Sequence, residues 1–349
     1  MIPTERAPAV FGRARDLVAP ALRTAVDRLS AEMRPVVEYH FGWSDAEGHP
    51  VGGSGGKGVR PALAILSAEA VGADAAVGIP GGVAVELVHN FSLIHDDVID
   101  GDVERRHRPT VWALFGVGQA VIVGDALLAL AQQVLLDPAG TLKLEHAADD
   151  DAARRAASRI ADSTAAMIAG QALDMAFESL PTVDVAGCLV MEGGKTGALL
   201  GCAASIGAEL AGAPAEMVAG LDRFGFELGL AFQAVDDLLG IWGDPACTGK
   251  PAWSDLRQHK KTLPVAAALA AGGDGAAELG ELLATPLLSD EQIARAAELV
   301  EKAGGREISA DEARRRLDAA LGALDSAHFV VDAQAELAEV ARFVIEREF

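Results

Sequence analysis

The spacing of apolar residues restricts the fold more than any other feature of this chain. Between residues 13 and 39 they recur every three or four positions, for example at Leu17, Leu22 and Val26, which is the period of an amphipathic helix. Similar runs lie near 61–72, 81–100, 110–136, 151–179, 184–211, 214–242 and 262–271. No convincing alternation of apolar and polar residues predicts a strand. We therefore predict an all-α bundle forming one domain over residues 1–349, with 1–12 as a flexible N-terminus.

Two short patterns in the last third of the chain predict helix starts. Ser289-x-x-Gln292 and Ser309-x-x-Glu312 both have the spacing of a capping box. In that motif the serine and the residue three positions later each accept a hydrogen bond from the other's backbone N–H. We expect each serine to open a helix.

The charge balance limits the classes of partner. The chain carries 51 acidic and 29 basic residues, for a formal net charge of -22, and it has no basic tail. Binding to nucleic acid needs a positive footprint, so we predict no nucleic-acid partner. A local group of basic residues could still bind an anionic substrate.

Cysteine usage and the N-terminus predict a cytoplasmic protein. Cys188, Cys202 and Cys247 are far apart and lack the spacing of a zinc site or a disulfide framework, which fits a reducing compartment. Glu5 and Arg6 stand where a signal peptide would need an apolar core. Because charged residues interrupt the apolar runs, we also expect no transmembrane segment.

An acidic group ends one of the apolar runs, in SLIHDDVIDGDVERRHRPT. On a helix, Asp96 and Asp100 share a face, and Asp97 lies about 100° away around the axis. Carboxylates this close repel one another, and the C-terminal end of a helix is itself negative. Mg²⁺ is a natural counter-ion, because it prefers one or two carboxylates together with substrate phosphates.

A second acidic pair, Asp236 and Asp237, ends another long apolar helix, in GLAFQAVDDLLGIW. Two such pairs on apolar helices could face one another and hold a metal cluster. The alternative is that both pairs are solvated helix ends, since acidic residues often collect there.

Basic residues accompany both acidic groups. Lys57 and Arg60 lie in the glycine-rich loop GGKGVRP, where backbone amides and two cations would suit a phosphate group. Arg105 and Arg106 follow the first acids. Lys195, Lys250, Lys260 and Lys261 lie near or after the second pair in sequence. The alternative for each lysine is a surface charge, and for the two arginines an ion pair with Asp102 and Glu104.

The ordered motifs resemble those of the trans-isoprenyl diphosphate synthases, also called polyprenyl synthetases. The resemblance covers roughly residues 45–270 and consists of GGKGVRP, DDVID with RRHRPT, GDALLA, GQALDM, GKTGALL, FQAVDD and KKTLP. It implies an isoprenoid synthase type helical bundle around a central cavity, usually a homodimer. It also implies condensation of isopentenyl diphosphate with dimethylallyl, geranyl or farnesyl diphosphate.

The same resemblance implies roles for individual residues. Three Mg²⁺ ions would be held, two by Asp96 and Asp100 and the third by Asp236. Arg105, Lys195 and Lys260 would bind the allylic diphosphate, and Lys250 would be a further substrate-binding residue. Isopentenyl diphosphate would be bound by Lys57, Arg60, His89 and Arg106. Thr196 and Gln233 would lie beside the allylic cation, and Asp97 and Asp237 would orient their neighbours.

Product length is expected to depend on Phe91, which lies about 7.5 Å before Asp96 along the helix axis. In the family, an aromatic residue there followed by a small one, here Ser92, resembles the pattern of C20 synthases. We therefore predict geranylgeranyl diphosphate, with C15 farnesyl diphosphate as the alternative product. The bland alternative is that Phe91 is an ordinary core residue.

Three positions depart from the family pattern. The second acidic motif ends in Gly240 instead of aspartate, and Asp244, one turn later, is the candidate to replace the missing acid. His107 and His259 stand where glycine is usual. Two other functions therefore stay open. A terpene cyclase would not need Lys57, Arg60 and Arg106, and a non-catalytic regulatory subunit has only Gly240 in its favour.

Overall fold

The computed structural model describes residues 7–51, 58–142, 149–244 and 253–345. Within these ranges nearly all regular structure is helical, and the one strand pair contains two residues on each side. The prediction of an all-α protein is confirmed. The predicted site residues Lys57 and Lys250 lie outside the described ranges.

The first helices are α1 (Ala9–Val26), α2 (Arg34–His40), α3 (Val59–Ala70) and α4 (Ile79–Asp100), with a 3-10 turn at Ala75–Gly78. Strands β1 (Glu104–Arg105) and β2 (Arg108–Pro109) form an antiparallel pair. There follow α5 (Val111–Phe115), α6 (Val117–Leu136), α7 (Pro138–Leu142), α8 (Asp150–Glu178), α9 (Val185–Glu192), a π-helical turn (Gly193–Gly197), α10 (Ala198–Leu210) and α11 (Ala215–Trp242). The last helices are α12 (Ser254–Arg257), α13 (Leu263–Ala270), α14 (Gly273–Leu283), α15 (Asp290–Lys302), α16 (Gly305–Ala323) and α17 (Val331–Ile345).

The chain divides into two compact units. The first unit comprises Met1–Asp162, Cys202–Asp222 and Ser326–Val340, and the second Ser163–Gly201, Arg223–Asp325 and Ala341–Phe349. The single domain and the flexible N-terminus inferred from the sequence stay predictions.

The apolar pattern over 13–39 is divided between two helices. The first ends at Val26, where the backbone N–H of Asp27 donates to the carbonyl of Arg23. The second begins at Arg34 and has Pro35 in its first turn. Proline is compatible with a first turn, where its missing N–H would have no helical partner.

Helix α4 forms the core of the first unit. Leu87, Val88 and Ile94 are fully buried, and the helix packs against α3 and α6. It ends at Gly101, which has a left-handed conformation with φ of 69°. Because glycine has no Cβ, it adopts this conformation without strain and turns the chain into β1 directly after the acidic motif.

The second unit carries the other acidic pair near the end of α11. Its apolar core includes Ile241 of that helix together with Leu256, Val265, Leu279 and Val300 from the helices that follow. The packing fixes the end of α11 against α12 and α13, from which further polar side chains reach the same region.

One of the two predicted capping boxes is confirmed. Ser289 Oγ accepts from Gln292 N, and the Gln292 side chain accepts from Ser289 N, at the start of α15. The other is wrong, because α16 already begins at Gly305 and Ser309 lies inside it. The Ser309 hydroxyl donates to the Gly305 carbonyl one turn earlier, a bond that a serine within a helix commonly makes.

Two helical segments are long and apolar enough to cross a membrane. They are Ala75–Asp100, of which 72% of the apolar window is buried, and Val117–Leu136, of which 44% is buried. The core helix of a soluble protein passes the same test, so these segments are weak evidence for a membrane span.

Candidate active site

The first acidic motif occupies the last two turns of α4, and its three aspartates differ in burial. Asp97 is buried, with 1% of its surface exposed, whereas Asp96 is half-buried and Asp100 is exposed. Adjacent positions on a helix point about 100° apart, so one acid of the pair faces the core and the other faces outward. The two residues predicted to hold metal are thus the more accessible ones.

Arg105 neutralises the buried acid. Its Nε and Nη2 atoms both lie 2.8 Å from Asp97 Oδ1. The alternative pairing of Arg105 with Asp102 or Glu104 is therefore wrong, because the turn at Gly101 brings β1 back beside α4. Burial raises the pKa of Asp97, and the arginine partly offsets this. Within the described ranges Asp97 Oδ2 is buried and has no hydrogen-bond partner.

Arginine side chains line a cavity in the first unit. The cavity has a volume of about 420 Å³, and Arg105, Arg106 and Arg108 contribute to it together with His40 and Leu93. Arg106 is exposed, at the turn between β1 and β2, whereas Arg108 is tied to the protein. A cavity with this lining suits an anion that has an apolar part.

Arg108 was not predicted as part of the site. Its Nη1 and Nη2 donate to the carbonyls of Tyr39 and Ser44, at 3.1 and 2.8 Å. Its guanidinium also lies 4.2 Å from the centre of the Tyr39 ring. These three contacts hold the C-terminal end of α2 and the segment after it against the β1–β2 hairpin, which carries Arg105, Arg106 and Arg108.

Arg60 and His89 lie together beside the same group of arginines. Burial lowers the pKa of Arg60, an effect that Glu86 opposes. The pKa of His89 is well below its usual value, first because of burial and then because of Arg60 and Arg106. His89 is therefore neutral at physiological pH and can donate one ring N–H to an anion. Lys57, the other predicted member of this group, is outside the described residues.

A buried hydrogen-bonded chain supports these residues. Asn90 Nδ2 donates to the Glu86 carbonyl and to Glu86 Oε1, at 2.8 and 3.1 Å. Asn90 Oδ1 lies 3.0 Å from His40 Nε2. Since both Glu86 groups are acceptors, they fix the orientation of the amide, and His40 Nε2 must carry the hydrogen. The sequence signal was available, because Glu86 and Asn90 are polar residues one turn apart within an apolar helix.

Phe91, the predicted chain-length residue, is buried at the contact between α4 and α6. Its ring meets the His95 ring edge to face, with centroids 4.9 Å apart. His95 Nε2 lies 3.2 Å from the Val121 carbonyl. A Cβ at Gly124 would come within 3.2 Å of His95 Cε1 and closer still to two other ring atoms, so glycine there makes room for the imidazole. Ser92 points elsewhere, with its hydroxyl donating to the His89 carbonyl.

Asp45, Glu47 and His49 also bring potential metal-ligating atoms together, all within 4.8 Å of one another. The Asp45 carboxylate, however, already accepts from the backbone N–H groups of Glu47 and His49. This is the usual way in which an aspartate stabilises a turn, and Glu47 and His49 are exposed.

In the second unit, the π-helical turn Gly193–Gly197 presents Lys195 and Thr196. Such a turn inserts one residue into a helix and is frequent at functional sites. A Cβ at Gly170 of α8 would lie 2.9 Å from Lys195 Cα and closer to Lys195 N, so α8 packs directly on the turn. Lys195 Nζ forms an ion pair with Asp174 of the same helix. Asp174 belongs to the GQALDM motif, but no role was predicted for it.

A side-chain network joins Thr196 to the second acidic motif. Thr196 Oγ1 donates to Gln233 Oε1 at 2.8 Å, and Gln233 Nε2 donates to Asp237 Oδ1 at 2.7 Å. Asp237 Oδ2 accepts from the backbone N–H of Leu263 at 2.9 Å. Burial raises the pKa of Asp237 well above its usual value, and Glu192 and Asp255 raise it further.

A cavity of about 80 Å³ lies beside this network. Its charged lining residues are Asp174, Glu192, Lys195, Asp236, Asp237, Asp255, Lys260 and Lys261. Asp236 is exposed, in contrast to its buried neighbour Asp237. Three predicted residues, Asp236, Lys195 and Lys260, thus meet at one cavity, whereas Lys250 lies outside the described ranges.

Gly240, the departure from the acidic motif, is in contact with another carboxylate. A Cβ at this position would lie 2.8 Å from Asp255 Oδ1 and closer still to Oδ2 and Cγ. Ser254 Oγ lies 3.2 Å from both the Gly240 carbonyl and Asp255 Oδ1. A carboxylate that the sequence did not single out, that of Asp255 in α12, therefore lies beside Gly240, and the role suggested for Asp244 stays a prediction.

Glu192, which the sequence did not single out, ends α9 with 2% of its surface exposed. Burial raises its pKa to about 7. Its Oε1 lies 3.1 Å from Cys188 Sγ, and Oε2 is buried without a hydrogen-bond donor in the described part of the chain. The carboxyl group of Asp237 lies within hydrogen-bond reach of Glu192. A cavity with adjacent carboxyl oxygens is chemically suited to a hard cation such as Mg²⁺.

Comparison with known proteins identifies the family. The family model described as Polyprenyl synthetase matches residues 49–300. The chain belongs to the polyprenyl synthetase family. It is 47% identical over 349 residues to the (2E,6E)-farnesyl diphosphate synthase of Mycobacterium tuberculosis, covering 99% of this chain and 94% of that protein. It is 43% identical to the geranylgeranyl diphosphate synthase of the same organism, covering 93% and 91%.

Solved structures agree with this assignment. The polyprenyl synthetase from Streptomyces coelicolor A3(2) superimposes with a TM-score of 0.89 at 53% identity, covering 97% of this chain and 99% of that one. A geranylgeranyl pyrophosphate synthase from Corynebacterium glutamicum, complexed with isoprenyl diphosphate and magnesium, gives 0.81 at 26% identity, covering 98% and 100%. The predicted isoprenoid synthase fold is confirmed. As a polyprenyl synthetase, the chain is a short-chain trans-prenyltransferase.

Proposed function

We propose that this polyprenyl synthetase condenses isopentenyl diphosphate with allylic diphosphates in a Mg²⁺-dependent reaction. The observation that carries the proposal is the cavity shared by Asp236, Lys195 and Lys260. Carboxylates would hold the metal and lysines would bind diphosphate oxygens, so this lining fits a metal-bound diphosphate. The relative from Corynebacterium glutamicum was solved with isoprenyl diphosphate and magnesium.

The metal would be held by Asp96, Asp100 and Asp236, with three ions expected when substrate is present. Bound Mg²⁺ would neutralise the charge that develops on the leaving diphosphate. Asp97 and Asp237, which are buried and hydrogen-bonded, would orient their neighbours.

In the reaction, the bond between C1 and oxygen of the allylic substrate breaks, and Arg105, Lys195 and Lys260 stabilise the departing diphosphate. Thr196 and Gln233 line the position of the allylic cation. The double bond of isopentenyl diphosphate forms the new carbon–carbon bond, and a proton then leaves to the released diphosphate. Lys57, Arg60, His89 and Arg106 hold isopentenyl diphosphate, with His89 donating as a neutral ring; Lys250 is a further substrate contact.

We propose geranylgeranyl diphosphate as the product, with farnesyl diphosphate as the alternative. The contact of Phe91 with His95 supports a fixed aromatic barrier at the predicted position. Two relatives of similar identity bear the names of a C15 and a C20 synthase, so identity alone does not choose between the lengths.

Product analysis tests the proposal. The purified protein would receive Mg²⁺, isopentenyl diphosphate and one of the three allylic primers, and the dephosphorylated alcohols would be identified. We expect a C20 alcohol, no product with EDTA, and a large loss of rate in Asp236→Asn. A C15 product would contradict the chain length alone. Hydrocarbon from an allylic diphosphate alone would indicate a cyclase, and no product at all a regulatory subunit.

We also propose a cytoplasmic homodimer. Helix α6 exposes Val117, Val121, Ile122 and Leu136, at 50, 41, 53 and 56% of their surfaces. An apolar face of this kind would be covered by a second copy of the chain. Sedimentation velocity of Ile122→Asp against wild type tests this, and an unchanged dimer would place the interface elsewhere.

A further inference from the structure

Glu192 is a buried acid whose placement the proposed reaction does not yet explain. It lines the same cavity as Asp236, at the point where α9 leads into the turn that carries Lys195. Buried side-chain oxygens in proteins are nearly always hydrogen-bonded. Glu192 Oε2 is an exception among the residues that the structure describes.

Glu192 contacts two protein groups, the Cys188 thiol and the carboxyl group of Asp237, and neither is a strong donor. Two carboxyl groups in contact repel each other unless a proton or a cation lies between them. Glu192 Oε1 is met by the Cys188 thiol from one turn earlier in the same helix, and a thiol is a weak donor. A glutamate kept only for packing would be expected to have both oxygens paired, because an unpaired buried polar atom is destabilising.

The charges around the cavity indicate what is missing. Five carboxyl groups and three lysines line it. Lys195 is paired with Asp174, and Lys261 Nζ lies 3.4 Å from the backbone carbonyl of Glu178. Acidic groups therefore outnumber basic ones in the lining, which favours a hard cation there over a further anion.

The neighbouring carboxylates differ in whether their oxygens already accept hydrogen bonds from the protein. Both oxygens of Asp237 already accept hydrogen bonds, from Gln233 and from the Leu263 backbone. Asp236 is exposed on the other side of the pair. Glu192 Oε2 has the oxygen chemistry that Mg²⁺ prefers, and the described residues offer the Glu192 carboxyl no partner other than the Cys188 thiol and the neighbouring carboxyl of Asp237.

We propose that Glu192 is a further carboxylate of the divalent-metal site at the second acidic motif, presenting Oε2 to the cation that Asp236 holds. The inference rests on the proposed placement of metal at Asp236. Glu192 would be the member of the site that comes from outside the two aspartate-rich motifs, and it would link metal binding to the turn bearing Lys195.

Direct titration with Mn²⁺, followed by electron paramagnetic resonance, tests this without relying on turnover. Wild type, Glu192→Gln, Cys188→Ala and Asp236→Asn would be titrated with and without a non-reactive bisphosphonate. Loss of a carboxylate that supports a metal site lowers affinity by about 10- to 100-fold. We expect that loss in Glu192→Gln, and an affinity within about twofold of wild type in Cys188→Ala, which removes the thiol's contacts with Glu192 Oε1 and the Lys261 carbonyl and leaves Oε2 in place.

The thermal midpoint of the metal-free proteins separates this role from a structural one. Glu192→Gln keeps the shape of the side chain and removes a buried charge, so its metal-free midpoint should equal or exceed that of wild type. Wild-type Mn²⁺ affinity in Glu192→Gln, with or without a lower midpoint, would overturn the proposal. If Asp236→Asn also leaves the Mn²⁺ affinity unchanged, the proposal that Asp236 holds a metal ion is wrong as well. If wild type binds Mn²⁺ through Asp236 and Glu192 but elongates no primer, only the proposed reaction fails.

Discussion

For the substitution Gly240→Ala, helix propensity and the contact with Asp255 predict opposite effects on stability. Glycine within a helix is about 1 kcal/mol less favourable than alanine, so helix propensity alone predicts that Gly240→Ala stabilises α11. The structure predicts the opposite, because the new methyl group would overlap the Asp255 carboxylate, at 2.8 Å from Oδ1 and less from Oδ2. Either α12 shifts or the Asp255 side chain leaves its place.

The magnitude follows from those two outcomes. Forcing an extra methyl group into a packed region costs about 1–3 kcal/mol, which offsets the gain from propensity or exceeds it. Moving Asp255 also breaks its contact with Ser254 Oγ, at 3.2 Å. Because Asp255 lines the cavity with Asp236, losing it should weaken Mg²⁺ binding by about 10- to 100-fold. Gly240→Asp, which restores the family motif, should show the same defects and no gain.

Gly280→Ala is the matched control. Gly280 lies inside α14 of the same unit, and no atom lies within 4 Å of its added Cβ. It should gain about 1 kcal/mol, and the two alanine variants should differ by about 1–3 kcal/mol in free energy of unfolding. Denaturant unfolding and the Mg²⁺ dependence of turnover measure both effects. If Gly240→Ala is as stabilised as Gly280→Ala and keeps wild-type Mg²⁺ dependence, the reasoning about Asp255 is refuted.

Three further predictions concern the first unit. Phe91→Ala should lengthen the product seen by alcohol analysis, because it removes the ring beside His95, whereas Ser92→Ala should leave the length nearer to wild type. Arg108→Lys keeps the charge but loses the fork that binds two carbonyls, so the free energy of unfolding should fall by about 1–3 kcal/mol; an unchanged value would contradict that role. Burial lowers the pKa of His40 from 6.5 to about 4, so its contribution to stability is present above pH 6.5 and is lost as pH falls toward 4. The loss amounts to about 3 kcal/mol of the free energy of unfolding at most. It is measured as the difference in that free energy between wild type and His40→Gln at a series of pH values. If the difference stays constant as pH falls from 6.5 to 4, the lowered pKa does not belong to His40.

Helical periodicity was sufficient for the fold class, and the ordered motifs singled out residues that the structure brings to two cavities. The pattern placed Asp96, Asp100 and Asp236 on apolar helices and Lys195 near the second acidic pair, and the family resemblance gave Thr196 a place beside the allylic cation. These features are local, because helix period and motif spacing depend on a few neighbouring residues. The pattern failed where a short match had no tertiary support, as at Ser309, which resembles a helix start and lies inside a helix.

The partners of the site residues could not be read from the sequence. Asp255 reaches Gly240 because α12 lies against the end of α11. Glu192 could equally have been a surface acid, since nothing in MEGGKTG indicates that its side chain is buried. His40 joins Asn90 across two helices, and neither residue type nor spacing predicts that contact. Contacts of this kind depend on packing between distant segments, on which a single sequence carries little information.

The two aspartate pairs nevertheless follow one physical rule. In each pair the first acid is accessible, and the second is buried and held by donors from the protein. Asp97 is held by Arg105, and Asp237 by Gln233 and the Leu263 backbone. Because neighbouring helical residues point about 100° apart, a helix packed on one side must divide any adjacent pair in this way. The doubled aspartate therefore provides one carboxylate facing outward and one that anchors the helix end to the segment carrying the basic residues. Removing the second acid should then disturb the positions of those basic residues even where no metal is bound.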